Sequence, residues 1–309
     1  MPDTFFTEPP HWRWLIALYF FIGGIAGGCF FLAALLHLVG RPGDRAIVKA
    51  GYYVAITGVA ISGILLILDL DRPDRFWHMM IQNKTGRLMF KYWSPMSVGV
   101  WGLLFFGLFA FLAALGALHE DGKLRFGLAG RLAQRPVSTI IAIAGGIGGF
   151  FLAGYTGVLL AVSNRPVWAD SNWLGMLYLF SAASSAAAVL ILLARRRRLT
   201  DGTSVHELER FDKYVLILEL ITLVIFLISL GSAAQTFLNA WGALLAVIIV
   251  GGIVAPLLIG FGRLTRVRGR ALTAGTAAAL VLLGGLMLRI VTIFPSEQVR
   301  VVGTRVTQP

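Results

Sequence analysis

Long apolar runs separated by short polar stretches occupy most of this chain. A helix that crosses a lipid bilayer needs about 20 consecutive, mainly apolar residues, and runs of that length recur along the sequence. The predicted spans cover residues 12–39, 50–70, 95–118, 136–162, 172–194, 213–231, 240–262 and 271–294. The pattern therefore predicts an all-α integral membrane protein, in which a bundle of eight transmembrane helices forms one domain over residues 1–309.

The composition favours the same class of protein. Hydrophobic residues make up 57% of the 309 residues, charged residues 14%, and the mean hydropathy is +0.80. A soluble domain carries roughly 25% charged residues. The first residues include Asp3 and Glu8 but no basic cluster, and the apolar run that follows is longer than that of a secretory signal. We therefore expect the first span to be a permanent helix.

The basic residues are distributed unequally between the two faces that eight spans would create. Of the 27 lysines and arginines, 17 fall on the face that holds the loops after spans 1, 3, 5 and 7, which leaves 10 for the other face. Loops rich in lysine and arginine stay in the cytoplasm, so both termini are predicted to be periplasmic. The run Arg195 to Arg198 is then a cytoplasmic anchor, and no nucleic-acid partner is expected despite the net charge of +12.

Few ionisable residues lie within the predicted spans, and such residues are costly in lipid and usually functional. They are Asp69, Glu219 and Arg289. The alternating helix directions place Asp69, Arg289, Tyr19 and Tyr155 at similar depth below the outer surface. This group predicts a pocket that exchanges protons with a neutral, amphipathic ligand, or alternatively an Asp69–Arg289 ion pair that joins two helices.

Glu219 has a separate position in the sequence, near the cytoplasmic end of the sixth predicted span. It could belong to a proton path, although a glutamate whose side chain reaches the surface or pairs locally is the favoured interpretation.

The residues that could hold a redox metal are poorly placed for that role. The histidines fall at span ends or in loops: His11, His37, His78, His119 and His206. A membrane haem needs facing axial ligands, and an iron–sulfur cluster needs about four cysteines, whereas Cys29 is the one cysteine of the sequence. We therefore expect this chain to carry no haem, no iron–sulfur cluster and no other metal.

Two outer loops could form a docking surface for a partner protein, or could equally be ordinary solvated connections. The loop over residues 71–94 contains Arg72, Asp74, Arg75 and His78, and the SNRPVWADSN loop over residues 163–172 contains Trp168.

Four motifs together resemble the polysulfide reductase membrane-subunit (NrfD-like) family over nearly the whole chain. They are GGIAGG at 23–28, whose glycine spacing is also typical of close helix packing, LDLDRPDRFWHM at 68–79, SPMSVGVW at 94–101 and YTGVLLAVSNRPVW at 155–168. The resemblance implies a haem-free quinone- or quinol-binding subunit beneath a periplasmic, ferredoxin-like iron–sulfur protein. That partner is often joined to a molybdopterin oxidoreductase, and relatives also occur in alternative complex III.

The resemblance also suggests roles for particular residues. It carries over Asp69, from the LDLxRP motif, and Tyr155, from the YTGxLL motif, as quinone-site residues. Tyr19 stands where some relatives have a histidine, and Arg289 depends on its depth in the membrane alone. Asp69 would exchange the proton with the quinol, which could be menaquinol or ubiquinol. Electrons would pass between the quinol and the partner, and the complex would lie in a bacterial inner membrane.

Three alternatives to a simple electron-transfer subunit remain at this point. The first is a secondary transporter, since Pro256 interrupts the seventh span, although no matching break occurs in a second half of the sequence. The second is a purely structural anchor for a periplasmic enzyme. The third is quinone chemistry coupled to proton translocation through Glu219.

Overall fold

The computed structural model describes residues 14–163, 165–197, 203–262, 266–267, 270–271 and 273–298. Both chain termini, with Asp3, Glu8 and His11, and also Arg198, lie outside these ranges. Ten α-helices occur in the described part: α1 (Trp14–Val39), α2 (Arg45–Leu68), α3 (Pro95–Glu120), α4 (Gly127–Ala133), α5 (Val137–Ala161), α6 (Leu174–Arg197), α7 (Thr203–Ser229), α8 (Ala240–Ile248), α9 (Ala255–Gly260) and α10 (Ala274–Gln298).

Short elements connect these helices. Three 3₁₀ helices cover Pro42–Asp44, Pro73–Met79 and Gly231–Phe237, and a two-residue antiparallel pair, β1 (Arg266–Val267) with β2 (Arg270–Ala271), precedes α10. Apart from this pair and an isolated antiparallel bridge between Ile81 and Leu88, the regular secondary structure of the described chain is helical, as the apolar pattern predicts.

Within the described residues, seven segments are long and apolar enough to cross a membrane. The number rises to eight if Val205–Ser229 and Gly231–Phe237, which meet at an angle of 110°, count as one span. The rings of Trp14 and Phe294 lie 4.4 Å apart, so the first helix begins on the side where the last helix ends. An even number of crossings produces this arrangement.

The seventh predicted span is one apolar segment, Ala240–Gly260, that contains a change of helix type. Between α8 and α9, the residues Ile249–Val254 form a π-helix. Pro256 follows it after one residue, Ala255. Because proline donates no backbone hydrogen bond and its ring crowds the preceding turn, a wider turn before it lets the segment continue.

The helix that contains the sixth predicted span, 213–231, begins earlier than the apolar run, at Thr203. The charged residues of its first turns lower the local hydropathy and hide the helix start from an apolar pattern. Glu219 therefore lies about 24 Å along α7, at 1.5 Å per residue, and not near a helix end. Its side chain is 4% exposed, so it does not reach the surface, which was one of the two forms of the favoured interpretation.

The helix α1 lies at the centre of the bundle because its glycines allow close approach. A Cβ atom at Gly27 would lie 2.4 Å from the carbonyl oxygen of Gly149 on α5, and one at Gly28 would lie 2.7 Å from Cβ of Ala186 on α6. The packing role predicted for GGIAGG is thereby confirmed.

Two apolar cores share α1. One core is formed mainly by α1, α2, α3 and α5, and the other mainly by α1, α6, α7 and α10 together with the α8–α9 segment. We refer to these as the first half and the second half of the bundle. The residues singled out in the sequence divide between them.

Candidate functional site

A cavity of about 260 Å³ opens in the first half of the bundle, where α1 and α3 begin and α2 and α5 end. The segment between α2 and α3, residues 69–94, covers this end, which we call the α2–α3 loop side. The cavity is lined by Ile16, Tyr19, Phe20, Gly63, Leu66, Ile67, Asp69, Leu70, Phe76, Met79, Met80, Met96, Gly99, Val100, Leu103, Leu104, Tyr155 and Leu159.

The polar residues in this lining are Tyr19, Asp69 and Tyr155, and the rest of the lining is apolar or glycine. Tyr19 and Tyr155 are 3% and 7% exposed, and Asp69 is half-buried at the end of α2. Its backbone N–H still donates to the carbonyl oxygen of Leu65, at 3.0 Å, so the helix ladder holds the Asp69 backbone. Three of the four residues that sequence reasoning grouped at this depth therefore border one cavity.

The position of Tyr155 depends on the SPMSVGVW motif at the start of α3. Ser94 caps the helix, since its Oγ accepts from the backbone N–H of Ser97 at 3.4 Å, and Pro95 occupies the first turn, where its missing N–H costs little. The Tyr155 hydroxyl donates to the carbonyl oxygen of Pro95 at 2.6 Å. The first turn of α3 therefore orients this phenol.

Gly99 is a residue of the site that sequence reasoning missed. A Cβ atom there would lie 2.0 Å from the Tyr155 hydroxyl oxygen, so no other residue fits without moving the phenol. Gly102, one turn later, makes room in the same way for Phe151, which stacks on Tyr155 with ring centroids 5.2 Å apart. The signal in the sequence was a pair of glycines inside an apolar helix, where glycine is otherwise unfavourable.

Arg289, the fourth residue of the predicted group, is not among the residues that line the cavity. It is 1% exposed on α10 in the second half, where Nη1 donates to the carbonyl oxygen of Gly285 at 3.1 Å and Nη2 to that of Tyr178 at 3.2 Å. No ion pair joins it to Asp69, although the structure describes both residues. The position of Arg289 along its span did not reveal the direction in which α10 turns this side chain.

Arg289 belongs instead to a set of hydrogen-bonded side chains between α6, α7 and α10. Its Nη1 also donates to Ser181 Oγ. Ser184 Oγ donates to Glu219 Oε2 at 3.0 Å. Tyr178 and Thr292 share a hydrogen bond of 2.6 Å between their hydroxyls. We call the set Glu219, Ser184, Ser181, Arg289, Tyr178 and Thr292 the α6–α7–α10 polar cluster.

The acidic member of this cluster is Glu219, which accepts a hydrogen bond from Ser184 Oγ. A second buried acidic residue, Asp212, lies seven residues earlier on the same face of α7 and is 7% exposed. Ser181 and Ser184 were not among the predicted site residues, although their spacing of three residues was the available sign of a polar stripe.

The proposed docking residues differ in accessibility. Arg72, Asp74 and Arg75 are exposed at the Pro73–Met79 helix, and His78 is half-buried, with its ring 4.0 Å from that of Trp77. These residues lie on the α2–α3 loop side, whose segment also contributes Phe76 to the cavity lining.

Trp168, in contrast, cannot serve as an exposed docking residue of this chain. It is fully buried, and its Nε1 donates to the carbonyl oxygen of Thr292 at 2.7 Å. The preceding Val167 has a φ angle of 72°, and its N–H donates to Asp170 Oδ2 at 2.8 Å. This turn directs Trp168 inward onto α10, where the indole ring is buried and its N–H is hydrogen-bonded, as is usual for a buried tryptophan.

Comparison with known proteins agrees with the motifs. The family model described as "Polysulphide reductase, NrfD" matches residues 3–301. The sequence is 26% identical over 243 residues to a polysulfide reductase chain of Wolinella succinogenes, a match that takes in 72% of this protein and 73% of that one. It is 28% identical over 278 residues to the NrfD homolog of Haemophilus influenzae, with 83% and 85% of the two proteins matched.

A shorter similarity, 22% identity over 83 residues, links it to a selenate reductase subunit of Mesobacillus selenatarsenatis, of which it covers 20%. The apolar helices make the chain a multi-pass membrane protein. It therefore belongs to the NrfD polysulphide reductase family, whose members are membrane subunits of respiratory oxidoreductase complexes.

Proposed function

We propose that this chain binds quinol or quinone in the cavity of the first half and exchanges electrons between the quinone pool and an iron–sulfur partner. The observation that carries the proposal is the convergence of Tyr19, Asp69 and Tyr155 on a cavity that is otherwise apolar. Ligand pockets commonly combine an apolar lining with a few polar groups that orient the ligand. A quinone, with a flat apolar ring and two ring oxygens, matches this combination.

The hydrogen bonds that already exist assign different tasks to the polar groups. The Tyr155 hydroxyl already donates its hydrogen bond to the carbonyl oxygen of Pro95, so the hydroxyl oxygen is available to accept a hydrogen bond from a ligand. It would therefore hold the O–H of a quinol better than the bare oxygen of a quinone. Asp69 accepts when ionised and donates when protonated, which suits a group that takes a proton from the ligand and releases it again.

The chemistry that the quinol supplies is the release of two electrons together with two protons. Asp69 holds a leaving proton at its carboxyl oxygens, and the apolar residues around it exclude water. The segment 69–94 joins the cavity to the surface, where Arg72, Asp74 and Arg75 are exposed. We propose this surface as the docking site of the partner.

The partner that fits this scheme is a periplasmic, ferredoxin-like iron–sulfur subunit, since the chain itself is expected to hold neither haem nor cluster. A molybdopterin catalytic subunit would complete the enzyme, or the chain would belong to alternative complex III. The bias of basic residues, 17 against 10, supports an orientation with the α2–α3 loop side in the periplasm of a bacterial inner membrane. Menaquinone and ubiquinone both fit the proposal.

The test is a titration of the purified chain with a fluorescent quinol-analogue inhibitor, with wild type beside Asp69→Asn. A hydrogen bond to a charged group contributes about 1.5–3 kcal/mol, so its loss should weaken binding by about 10- to 100-fold. Asp74→Asn, which removes an exposed carboxylate outside the cavity lining, is the matched control and should bind like wild type.

Other outcomes of this titration separate the alternatives. If folded wild-type chain shows no saturable binding, the quinone proposal fails and the structural-anchor interpretation is the better one. If Asp69→Asn binds the analogue as tightly as wild type, the chain still binds quinol but the site lies elsewhere, and impaired assembly of that variant with a partner would assign Asp69 a structural role. The transporter alternative finds less support, because both interruptions of the described spans, the π-helical turn before Pro256 and the 110° bend after Ser229, lie in the same half of the chain, whereas inverted repeats would place one in each half.

A second candidate function is proton translocation, and the α6–α7–α10 polar cluster favours it. Two carboxyl groups, of Asp212 and Glu219, are buried in a membrane-spanning region together with the Arg289 guanidinium, and such groups mark ion or proton routes. We expect quinol-dependent proton release from proteoliposomes of the assembled complex to fall by about tenfold or more in Glu219→Gln if Glu219 relays the proton. Unchanged release, with intact electron transfer, would remove this candidate.

A further inference from the structure

The cavity of the first half has an inner end and an outer end. Its polar groups lie inside, because Tyr19 and Tyr155 are almost completely buried, whereas Met96 and Leu104 of α3, which line the same cavity, are 56% and 46% exposed. On α2, Ile64 next to the lining residue Gly63 is 57% exposed. The outer end of the cavity therefore reaches the lipid-facing surface of the bundle between α2 and α3.

These two helices separate toward the α2–α3 loop side. They are in contact deeper in the membrane, where a Cβ atom at Gly107 would lie 3.8 Å from Val59 Cγ2. Above this point, a stripe of α2 residues (Gly63, Leu66 and Ile67), continued by Leu70 after the helix end, faces a stripe of α3 residues (Met96, Gly99, Val100, Leu103 and Leu104) across the cavity. The result is a cleft about 12 Å long, from the helical rise between residues 96 and 104.

The volume of the cavity argues that a quinol does not fit inside as a whole. About 260 Å³ lies just below the range of roughly 300–1,000 Å³ that holds a drug-sized ligand. A ring system can be enclosed next to Tyr19, Asp69 and Tyr155, but a long isoprenoid tail has to leave. The apolar cleft between α2 and α3 offers that tail a route into the lipid.

Gly63 differs from the other glycines of α2 and α3 that border neighbouring helices. Cβ atoms at Gly58, Gly99 and Gly102 would meet a neighbour at 2.8, 2.0 and 2.4 Å, whereas a Cβ atom at Gly63 would meet nothing within 4 Å in the described structure. Packing therefore does not require glycine at this position, although glycine lowers helix stability relative to alanine. Its effect is to leave the cleft open.

We infer that the cleft between α2 and α3 is the portal through which the tail of the quinol passes, and that Gly63 keeps it open. This inference rests on the proposed function. The portal makes tail length and bulk a determinant of binding, and it specifies a lipid-borne ligand that arrives sideways from the membrane.

The test compares two probes on the purified chain. One is a fluorescent quinol-analogue inhibitor with a long alkyl tail, and the other is the same ring system with a methyl group in place of the tail. In Gly63→Leu the added side chain fills the cleft, so we expect the long-tailed probe to bind about tenfold or more weakly. The methyl probe should keep its affinity within about twofold, because the groups around the ring are untouched.

Two further variants guard against a folding defect. Gly63→Ala adds a methyl group that meets no neighbour within 4 Å, so it should weaken the long-tailed probe less than Gly63→Leu does, and Leu104→Trp should reproduce the effect of Gly63→Leu from the opposite wall. Gly251→Leu is the matched control, because Gly251 also has no neighbour within 4 Å but lies in the seventh span. It should change neither affinity.

The outcomes distinguish this inference from the proposed function. If wild type binds both probes and Gly63→Leu and Leu104→Trp bind both like wild type, or lose both equally, the tail does not pass between α2 and α3 and the inference is overturned. If folded wild type binds neither probe, the quinone proposal itself fails, and the portal with it.

Discussion

In the first half of the bundle the polar side chains border a cavity, whereas in the second half they bond to one another. Tyr19, Asp69 and Tyr155 surround a space that apolar residues complete, while Arg289 donates through Nη1 and Nη2 to Ser181 and two backbone carbonyls. A buried polar group without a partner is costly, and in the second half neighbouring groups provide such partners. The difference shows which polar residues of a membrane protein are available to a ligand and which hold the bundle together or carry protons within it.

The largest expected effect tests the structural role of the second half. Arg289→Met removes the donor to Ser181 and to the carbonyl oxygens of Gly285 and Tyr178. Each buried group left unsatisfied costs about 1–3 kcal/mol, so the free energy of unfolding should fall by about 3–5 kcal/mol. Thermal unfolding in detergent checks this. Affinity for the quinol analogue should be unchanged in the fraction that folds. A large loss of affinity in stable protein would contradict the division into two halves.

The next effect concerns the wall of the cavity. Gly99→Ala places a methyl group where the Tyr155 hydroxyl lies, so the phenol must move and its bond to Pro95 must break. We expect quinol-analogue affinity to fall about tenfold and the free energy of unfolding by about 1–3 kcal/mol.

Gly63→Ala is the matched control for this variant, because it makes the same chemical change in a helix that lines the same cavity but meets no neighbour. Equal behaviour of the two alanine variants would show that the Tyr155 position does not matter for binding.

The smallest effect lies at the opposite end of the first half, away from the cavity. There Asp121 follows α3 and accepts hydrogen bonds from Lys49 and, at 2.7 Å, from Tyr53. Burial opposes ionisation, but these hydrogen bonds outweigh it and hold the pKa of Asp121 below its usual value of 3.8. Because the folded-state pKa is lowered, the stabilisation is present above about pH 4 and is lost as the pH falls through the folded-state value.

Asp121→Asn should therefore lower stability by less than about 1 kcal/mol at pH 7, and the difference from wild type should shrink near pH 3. Thermal unfolding at both pH values measures it. A stability difference that grows on acidification would show that folding does not lower the pKa of Asp121. A change in quinol affinity would link this end of the bundle to the cavity.

Part of the site was predictable from local pattern. Asp69 ends an apolar run, and Tyr155 lies in a helix that runs in the opposite direction to α1. The depths of such residues can be compared by counting residues from the helix ends. That count brought Tyr19, Asp69 and Tyr155 together correctly. The same count failed for Arg289, because depth is a coordinate along the helix and says nothing of the direction in which the side chain turns.

The direction depends on contacts between distant parts of the chain. Trp168 looked exposed in a polar loop, yet the turn at Val167 places it against Thr292 on α10, more than a hundred residues away. The role of Gly99 is visible only from its contact with Tyr155. In the sequence, a glycine in an apolar helix has the same signature whether it meets a ring, a backbone or, like Gly63, open space.

The sequence by itself determined that this is a helical membrane protein, roughly where its helices lie, and to which family it belongs, because hydropathy and motif residues are properties of short segments. Only the tertiary structure decided which polar residues share a cavity, which ones bond to each other, and where two helices part to leave a cleft. Those outcomes depend on the rotation of each helix about its axis, which is set by packing against neighbours far away in the chain.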